Sequence, residues 1–305
     1  DKDSSVHFDA PTTGGWKDFS STNTLNESIS SIFKNKMKPL NPYLSEMRLI
    51  KDPSEIKNMQ AAANLASKAH IKAMLKTKPG LYEHHISAEF DSEFRKGNSE
   101  HSYPPIVAGG ENACILHYTE NNKILNDGDL LLVDVGCEIL GYASDITRTF
   151  PINGRFSEPQ KQIYEIVLNA QKSAIACIMP GEKVSKPHDV ACDIITNGLI
   201  ELGIMDTPSD LSEFYMHKTG HWLGLDVHDV GTQVIDDEYR IFEAGMVTTV
   251  EPGIYIRKND KIDSKYWNIG IRIEDDVLVT NDGNHILSEA AIKDLKDIEH
   301  LMSNQ

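Results

Sequence analysis

Three observations on the sequence predict an α+β fold built from two similar halves. Pro79-Gly80 recurs as Pro180-Gly181, 101 residues further on, and Gly97 recurs as Gly198 at the same offset. Gly128 precedes Asp134 by six residues and Gly245 precedes Glu251 by six, each across a short apolar strand. The shared pattern is helix, Pro-Gly, helix, strands, with an acidic residue at the strand end. Coincidence of common helix punctuation is the alternative. As a repeat, the pattern makes the halves face each other around a pseudo-two-fold axis, with their acidic strand ends meeting in the middle.

Residues 1–24, rich in Ser, Thr, Gly and Asp, read as a loop or tail. From Asn26 to Lys38 the apolar spacing of Ile29, Ile32, Phe33 and Met37 predicts a helix, stopped by Pro39 and Pro42. Asp52-Pro53-Ser54-Glu55 starts the next one: Asp52 caps, Pro53 suits the first helical position and Glu55 favours the first turn. This helix runs to about Lys76, with Ile56, Met59, Ala63 and Ala66 on one face. A second spans Glu83 to Lys96 and ends at Gly97. Two stretches of strand composition follow, Leu130–Gly136 and Gly141–Thr149. A two-residue turn at Ile139-Leu140 would set Asp134 directly opposite Asp145. Opposed side chains have Cβ atoms ~5 Å apart, where like charges destabilise. The pair therefore calls for a shared proton or a cation, and reads as half of a metal cage.

The second half restarts with a capping box, Ser157 and Gln160, and an apolar face from Ile163 to Cys177. Its next helical stretch is interrupted by Gly198. Acidic strands Met246–Gly253 and Ile269–Asp276 follow the segment His217–His228, and a terminal helix is expected from about Glu289 to Met302.

The chain has 305 residues, 40% of them hydrophobic and 25% charged, enough for a large core in one or two domains. A net charge of -16 argues against nucleic acid and anionic membranes as partners and suits carboxylates gathered around divalent cations. Cys114, Cys137, Cys177 and Cys192 form no C-x-x-C pair and fit a reducing compartment. The expected setting is cytoplasmic, with a mitochondrial one as the alternative. No apolar run approaches the ~20 residues that span a bilayer. A start at Asp1 rather than Met is read as the mark of a processed product or of a piece of something longer.

Five candidate ligands emerge: Asp134, Asp145, His221, Glu251 and Glu274. Four carboxylates and an imidazole form a hard, oxygen-rich set suited to two ions such as Mn²⁺, Co²⁺ or Zn²⁺. Singly, each reads equally as a salt-bridged strand end. Together they do not, because Asp134, Glu251 and Glu274 sit in or at the end of apolar strands, where an unpaired charge is expensive. His221 alone would read as a core histidine, His228 as a surface residue or one oriented by Asp229, and His117 as either apolar packing or function. His84 and His85 are assigned to solvent. The sequence has no H-E-x-x-H, G-x-S-x-G, P-loop or dinucleotide fingerprint.

Val133-Asp134-Val135-Gly136, Asp145-Ile146-Thr147-Arg148-Thr149-Phe150, Gly220-His221 through His228-Asp229, Val250-Glu251-Pro252-Gly253 and Gly270 through Asp276 together resemble the pita-bread metallopeptidases. Ile115 through Asn121 and the segment His217–His228 are most similar to Xaa-Pro aminopeptidase (aminopeptidase P). The resemblance covers about residue 25 to the end. It implies two pseudo-symmetric helix–strand halves with a curved, mostly antiparallel sheet around a dinuclear metal site. Asp145 and Glu274 would bridge the two ions, Asp134 would complete one, and His221 and Glu251 the other. Mn is the expected metal, with Co or Zn as alternatives. Glu251 would handle the proton of the attacking water, and His117 and His228 would stabilise the substrate or tetrahedral intermediate. His217, Tyr255 and Arg272 would shape the pocket for proline.

The activity so implied is removal of the N-terminal residue from peptides with proline at position two. The partner is such a peptide, with a homo-oligomer as a further expectation. Prolidase, acting on Xaa-Pro dipeptides, shares the ligands, and a non-catalytic binding module of the same fold is a third reading. Family members carry a substantial amino-terminal domain. Here residues 1–47 read as a tail plus the remnant of that domain and its linker, and 48–305 as the catalytic domain.

Overall fold

The computed structural model describes Val6–His7 and residues 37–303. The chain divides into two compact units, Asp1–Leu49 and Ile50–Gln305. In the first, β1 (Val6–His7) pairs in parallel with β2 (Met37–Lys38), and α1 spans Asn41–Leu49. The helix expected over Asn26–Lys38 lies outside the described residues except for Met37 and Lys38, which are strand. Pro42, read as a helix stop, instead occupies the first turn of α1, where its lacking N–H leaves no bond unmade.

The second unit opens with α2 (Pro53–Lys76). The Asp52 carboxylate accepts from the Ser54 and Glu55 amides, and Glu55 accepts from the Asp52 amide at 2.8 Å. Such a box is worth about 1 kcal/mol. A face including Met59, Ala63, Ala66, His70 and Met74 is buried. α3 (Glu83–Lys96) packs against it and ends at Gly97, where a Cβ would stand 2.5 Å from Leu65 Cδ2. After β3 (Glu100–His101), β4 (Ile106–Gly109) and β5 (Leu130–Asp134) come β6 (Cys137–Ile139), β7 (Tyr142–Ala143) and β8 (Thr147–Pro151). β5 is the centre of an antiparallel trio, with Asp134 facing Ile106 on β4 and Thr147 on β8.

That register corrects the expected hairpin. The turn falls on Leu140-Gly141, with φ of 51° and 84°, a pair of left-handed residues matching the strand twist. Ile139 is β-branched and disfavours that region, so the turn sits one residue later than expected and the pairing shifts by two. Asp134 therefore faces Thr147, not Asp145. Asp145 falls opposite Gly136, between the Val135 to Ile146 and Ser144 to Cys137 backbone bonds. Gly136 is required there, since a Cβ would stand 1.8 Å from the Ser144 carbonyl oxygen.

The second half has α4 (Glu158–Ala176), α5 (Lys186–Glu201), β9 (Val234–Ile235), β10 (Glu238–Tyr239), β11 (Val247–Val250), β12 (Gly253–Ile256), β13 (Ile269–Arg272), β14 (Asp275–Val279), β15 (Asn284–Ile286) and α6 (Leu295–Met302). Gly198 lies within α5 and does not interrupt it. A Cβ there would meet Ile166 Cδ1 at 2.7 Å. Leu65 and Ile166 are themselves 101 residues apart, so both halves use one glycine to bring a helix pair into close contact. β11 is flanked by β14 and, on its other side, by residues 219–222, through the Glu251 to Thr219 and Thr249 to His221 backbone bonds. Glu251, just past β11, thus occupies in its half the place of Asp134 at the end of β5.

The halves join directly. The Glu274 amide donates to the Thr147 carbonyl at 3.1 Å, and the Arg272 amide to Thr149 Oγ1 at 3.2 Å. One core cluster takes Met59, Ala63 and Ala143 from the first half and Leu223, Val247, Leu278 and Leu287 from the second. The arrangement is the expected α+β pita-bread architecture. The terminal helix is shorter than expected, starting at Leu295. The Ala291 and Ile292 carbonyls upstream accept from the buried Arg148 guanidinium instead of serving a helix. Arg148 also pairs with Asp275 at 2.7 Å with both side chains fully buried, so removing either partner would cost ~3–5 kcal/mol.

Candidate metal centre

Each candidate ligand sits at a strand end on the seam between the halves. Asp134 closes β5, Asp145 lies between β7 and β8, and His221 is on the segment beside β11. Glu251 follows β11, and Glu274 separates β13 from β14. Asp145 and Glu274 are 5% and 2% exposed. One ligand atom from each of Asp145, His221 and Glu274 lies within 4.8 Å of the others. Glu251 Oε1 is 3.7 Å from His221 Nε2, and Asp145 Oδ2 is 3.4 Å from the same nitrogen. Asp134 joins the group through Tyr103, whose hydroxyl is 2.6 Å from Oδ1 of both Asp134 and Asp145. The two aspartates that the sequence placed opposite one another do meet, across a phenol instead of a ladder position.

Four of the five candidate ligands are held from behind. Arg272 donates to Asp134 Oδ2 at 2.5 Å, Thr147 Oγ1 to Glu274 Oε2 at 2.7 Å, and the Asp145 amide to the Asp276 carboxylate at 3.2 Å. His221 Nδ1 lies 3.0 Å from the Trp222 carbonyl. With Nδ1–H donating there, the Nε2 lone pair faces the carboxylates, the orientation a metal-binding imidazole needs.

The electrostatics favour a cationic guest. Burial, reinforced by the charges of Asp145, Glu251 and Asp134, holds Glu274 far above the usual carboxylate range. Burial also raises Glu251 and Asp134. Against its own burial, Asp145 is lowered by the hydrogen bond and charge of His221. Burial opposes charge on His221, yet Asp145 and Glu251 outweigh it and lift the imidazole to about 9. Four carboxylates in one dry site cannot all ionise without countercharge. Two dications would balance four negative ligands, and the oxygen-rich donor set suits them.

The remaining predicted residues surround this cluster. His228 stacks edge-on against His221, ring centres 4.2 Å apart. The neighbouring Asp229 carboxylate reaches Lys51 at 3.3 Å, with both side chains 1% exposed, and so pins the loop that follows His228. His217, Tyr255 and Arg272 form a relay. Arg272 donates to the Tyr255 oxygen at 2.9 Å, and Tyr255 donates to His217 Nε2 at 2.8 Å. Burial lowers His217 to about 4, keeping it a neutral acceptor. His117 is exposed, has a left-handed φ of 56°, and faces the cleft. Two cavities of about 390 and 540 Å³ share His117, Asp134, Asp145 and His228. The first also takes in His217 and Arg272, the second Tyr103, Ile106 and Val227.

Sequence reasoning gave no role to Tyr103, Thr147, Asp276 or Glu83. Thr147 carried a signal, since a period of two along β8 puts it on the same face as Asp145. Tyr103 and Asp276 carried none, because their partners are set by tertiary approach. Glu83 lies buried just before the exposed His84 and His85, where local polarity conceals it.

A model of metallopeptidase family M24 matches residues 57–281. The Xaa-Pro aminopeptidase of Haemophilus influenzae is 52% identical over 270 residues, covering 86% of this chain and 63% of its own length. Among solved structures, Pseudomonas aeruginosa aminopeptidase PepP superposes with a TM-score of 0.87 at 46% identity, covering 92% of this chain and 66% of that one. Escherichia coli aminopeptidase P with the inhibitor Pro-Leu gives 0.89 at 40% identity, covering 95% and 70%. The chain spans 63% and 61% of the length of the first two curated relatives. The family match runs across both halves and takes in every candidate ligand of the cleft described above: the chain belongs to metallopeptidase family M24.

Proposed function

We propose that the chain carries the catalytic unit of a metal-dependent Xaa-Pro aminopeptidase. The observation that carries this reading is the cluster of Asp145, His221 and Glu274 opening onto the same cavity as His217 and Arg272, which Tyr255 links from behind. Asp134, Asp145, His221, Glu251 and Glu274 would hold two divalent ions, Mn²⁺ first, with Co²⁺ or Zn²⁺ as alternatives. A zinc-substituted aminopeptidase P of Escherichia coli in complex with product is among the similar structures. Such ions supply a water acidic enough to attack near neutrality and polarise a carbonyl.

The protein's own groups do the rest. Glu251, a half-buried carboxylate with raised proton affinity beside His221, accepts the proton of the attacking water. It then delivers that proton to the prolyl nitrogen as the C–N bond breaks. His117 and His228 flank the carboxylate floor in both cavities and donate to the oxygen on which charge develops. The prolyl nitrogen of the scissile bond has no hydrogen, so its ring needs a wall more than a donor. The neutral His217 and Tyr255, fixed by Arg272, provide one. That the similar Escherichia coli aminopeptidase P has been solved with the inhibitor Pro-Leu supports a cleft that accepts proline. The second cavity takes the first residue, whose ammonium group the acidic floor favours.

Residues 1–47 are read as the remnant of an upstream domain and 48–305 as the catalytic domain. No described helix is long and apolar enough to cross a membrane. Cytoplasm is the proposed setting. A mitochondrial one is the alternative, since one relative, from Arabidopsis thaliana, is named mitochondrial. The test is release of the first amino acid from an Xaa-Pro-Yaa tripeptide after reloading chelated protein with Mn²⁺, beside an Xaa-Pro dipeptide. Tripeptide cleavage is expected. Preference for the dipeptide would make the enzyme a prolidase, and no release with Mn²⁺, Co²⁺ or Zn²⁺ would sink the catalytic reading.

A further inference from the structure

Glu83, the first residue of α3, is 0% exposed. No lysine, arginine or histidine lies within ion-pair distance of it among the described residues. A buried carboxylate without a counter-ion is expensive, and this one is satisfied entirely by neutral donors. Oε1 accepts from the Gly109 amide and Asn112 Nδ2, each at 2.9 Å. Oε2 accepts from the Tyr118 hydroxyl at 2.8 Å and the Lys123 amide at 2.9 Å.

All four donors belong to the stretch 109–123, two before His117 and two after it. They draw both flanks of that stretch onto one carboxylate and leave its crest, Leu116 and His117, facing the metal-site cavity. Asn121 adds a second anchor: Oδ1 accepts from the Val107 amide at 2.9 Å and Nδ2 donates to the Pro105 carbonyl at 2.8 Å, tying the stretch to β4. The crest needs such anchoring. His117 holds a φ of 56°, which costs a non-glycine residue about 1–3 kcal/mol unless its surroundings enforce it. Its exposed imidazole makes no hydrogen bond among the described residues, so no polar partner holds the ring and its Cα–Cβ direction is set by the backbone.

We propose that Glu83 is the positioning residue for His117, acting as the neutral-donor hub that shapes the crest over the cleft. This rests on the catalytic role given to His117 above, and the test separates the two. Glu83→Gln keeps the shape but turns one oxygen into a donor. In either rotamer the new NH₂ confronts a backbone N–H, of Gly109 or Lys123, that cannot reverse. On the Mn²⁺-loaded full chain, kcat for an Xaa-Pro-Yaa tripeptide should fall roughly 10- to 100-fold, with KM within about threefold and metal content unchanged. The double variant Glu83→Gln/His117→Ala should be no slower than His117→Ala alone, because the second change removes what the first misplaces.

Hydrogen exchange gives a readout independent of activity: the Gly109 and Lys123 amides should lose protection in Glu83→Gln while the rest of the chain does not. If that variant fails to fold, Tyr118→Phe deletes a single donor, and the same cycle with His117→Ala applies. Provided that His117→Ala is itself slow, multiplicative losses in the double variant, a rate loss that tracks lost metal, or a wild-type rate in Glu83→Gln would each overturn the proposal. If His117→Ala proves as fast as wild type, the catalytic role of His117 falls. Retained amide protection in Glu83→Gln would then still refute the positioning role, and lost protection would support it.

Discussion

Gly136→Ala is the sharpest single test of how the hairpin builds the metal centre. Gly136 has no left-handed φ, so alanine meets no backbone objection; space alone forbids it. The added methyl would stand 1.8 Å from the Ser144 carbonyl oxygen, against a carbon–oxygen contact of about 3.3 Å, so one strand must move by roughly 1.5 Å. Ser144 adjoins Asp145, and Gly136 lies two residues after Asp134, so the displacement passes directly into the two aspartates. Metal–ligand distances tolerate about ±0.2 Å. A shift several times larger should therefore cost at least one ion its ligand set. Overpacking of this kind destabilises by ~1–3 kcal/mol, or roughly 2–6 °C in Tm for a unit of this size. Isothermal titration with Mn²⁺ and metal analysis after dialysis read the first effect, and a thermal melt of the chelated protein reads the second. Wild-type Mn²⁺ affinity together with an unchanged melt would refute the reasoning. Lost stability with full affinity would show that the two aspartates are not rigidly coupled to the turn.

His228→Ala should retain full metal and slow tripeptide cleavage by about 10²- to 10³-fold, the usual effect of removing one oxyanion donor; loss of metal instead would place His228 among the ligands. Acid should weaken the fold through His70, which burial, aided by the Arg148 charge, lowers to about 3. Above about pH 6.5 it is neutral folded and unfolded, and its contribution is complete. Below that the unfolded chain takes the proton first, so stability declines by ~1.4 kcal/mol per pH unit towards pH 3, about 5 kcal/mol in all. Urea midpoints of wild type and His70→Gln at pH 7 and pH 5 test this, and parallel declines in the two proteins would rule it out.

Much of this protein is legible in the linear sequence, because much of it rests on local physics. Asp52-Pro53-Ser54-Glu55 builds its capping box from four adjacent residues. The 101-residue repeat marks the helix pairs: Gly97 ends its helix as expected, whereas Gly198 lies inside its helix and serves close packing, not interruption. Charges set inside apolar strands picked out Asp134, Glu251 and Glu274 by desolvation cost alone.

Tertiary structure decided what depends on approach between distant residues. Whether Asp134 faces Asp145 turned on which residues accept a left-handed turn, and a shift of two positions handed the contact to Tyr103. The terminal helix starts late because Arg148, remote in sequence, takes up the carbonyls before it. Glu83 reads as one more acidic residue at a helix start until residues up to 40 positions away deliver four donors to it. Residue type and local spacing determined which groups this chain can offer to a metal. Their facing, their protonation and their supports were decided only by the fold, because hydrogen bonds and charge interactions act through space and local sequence does not encode distance.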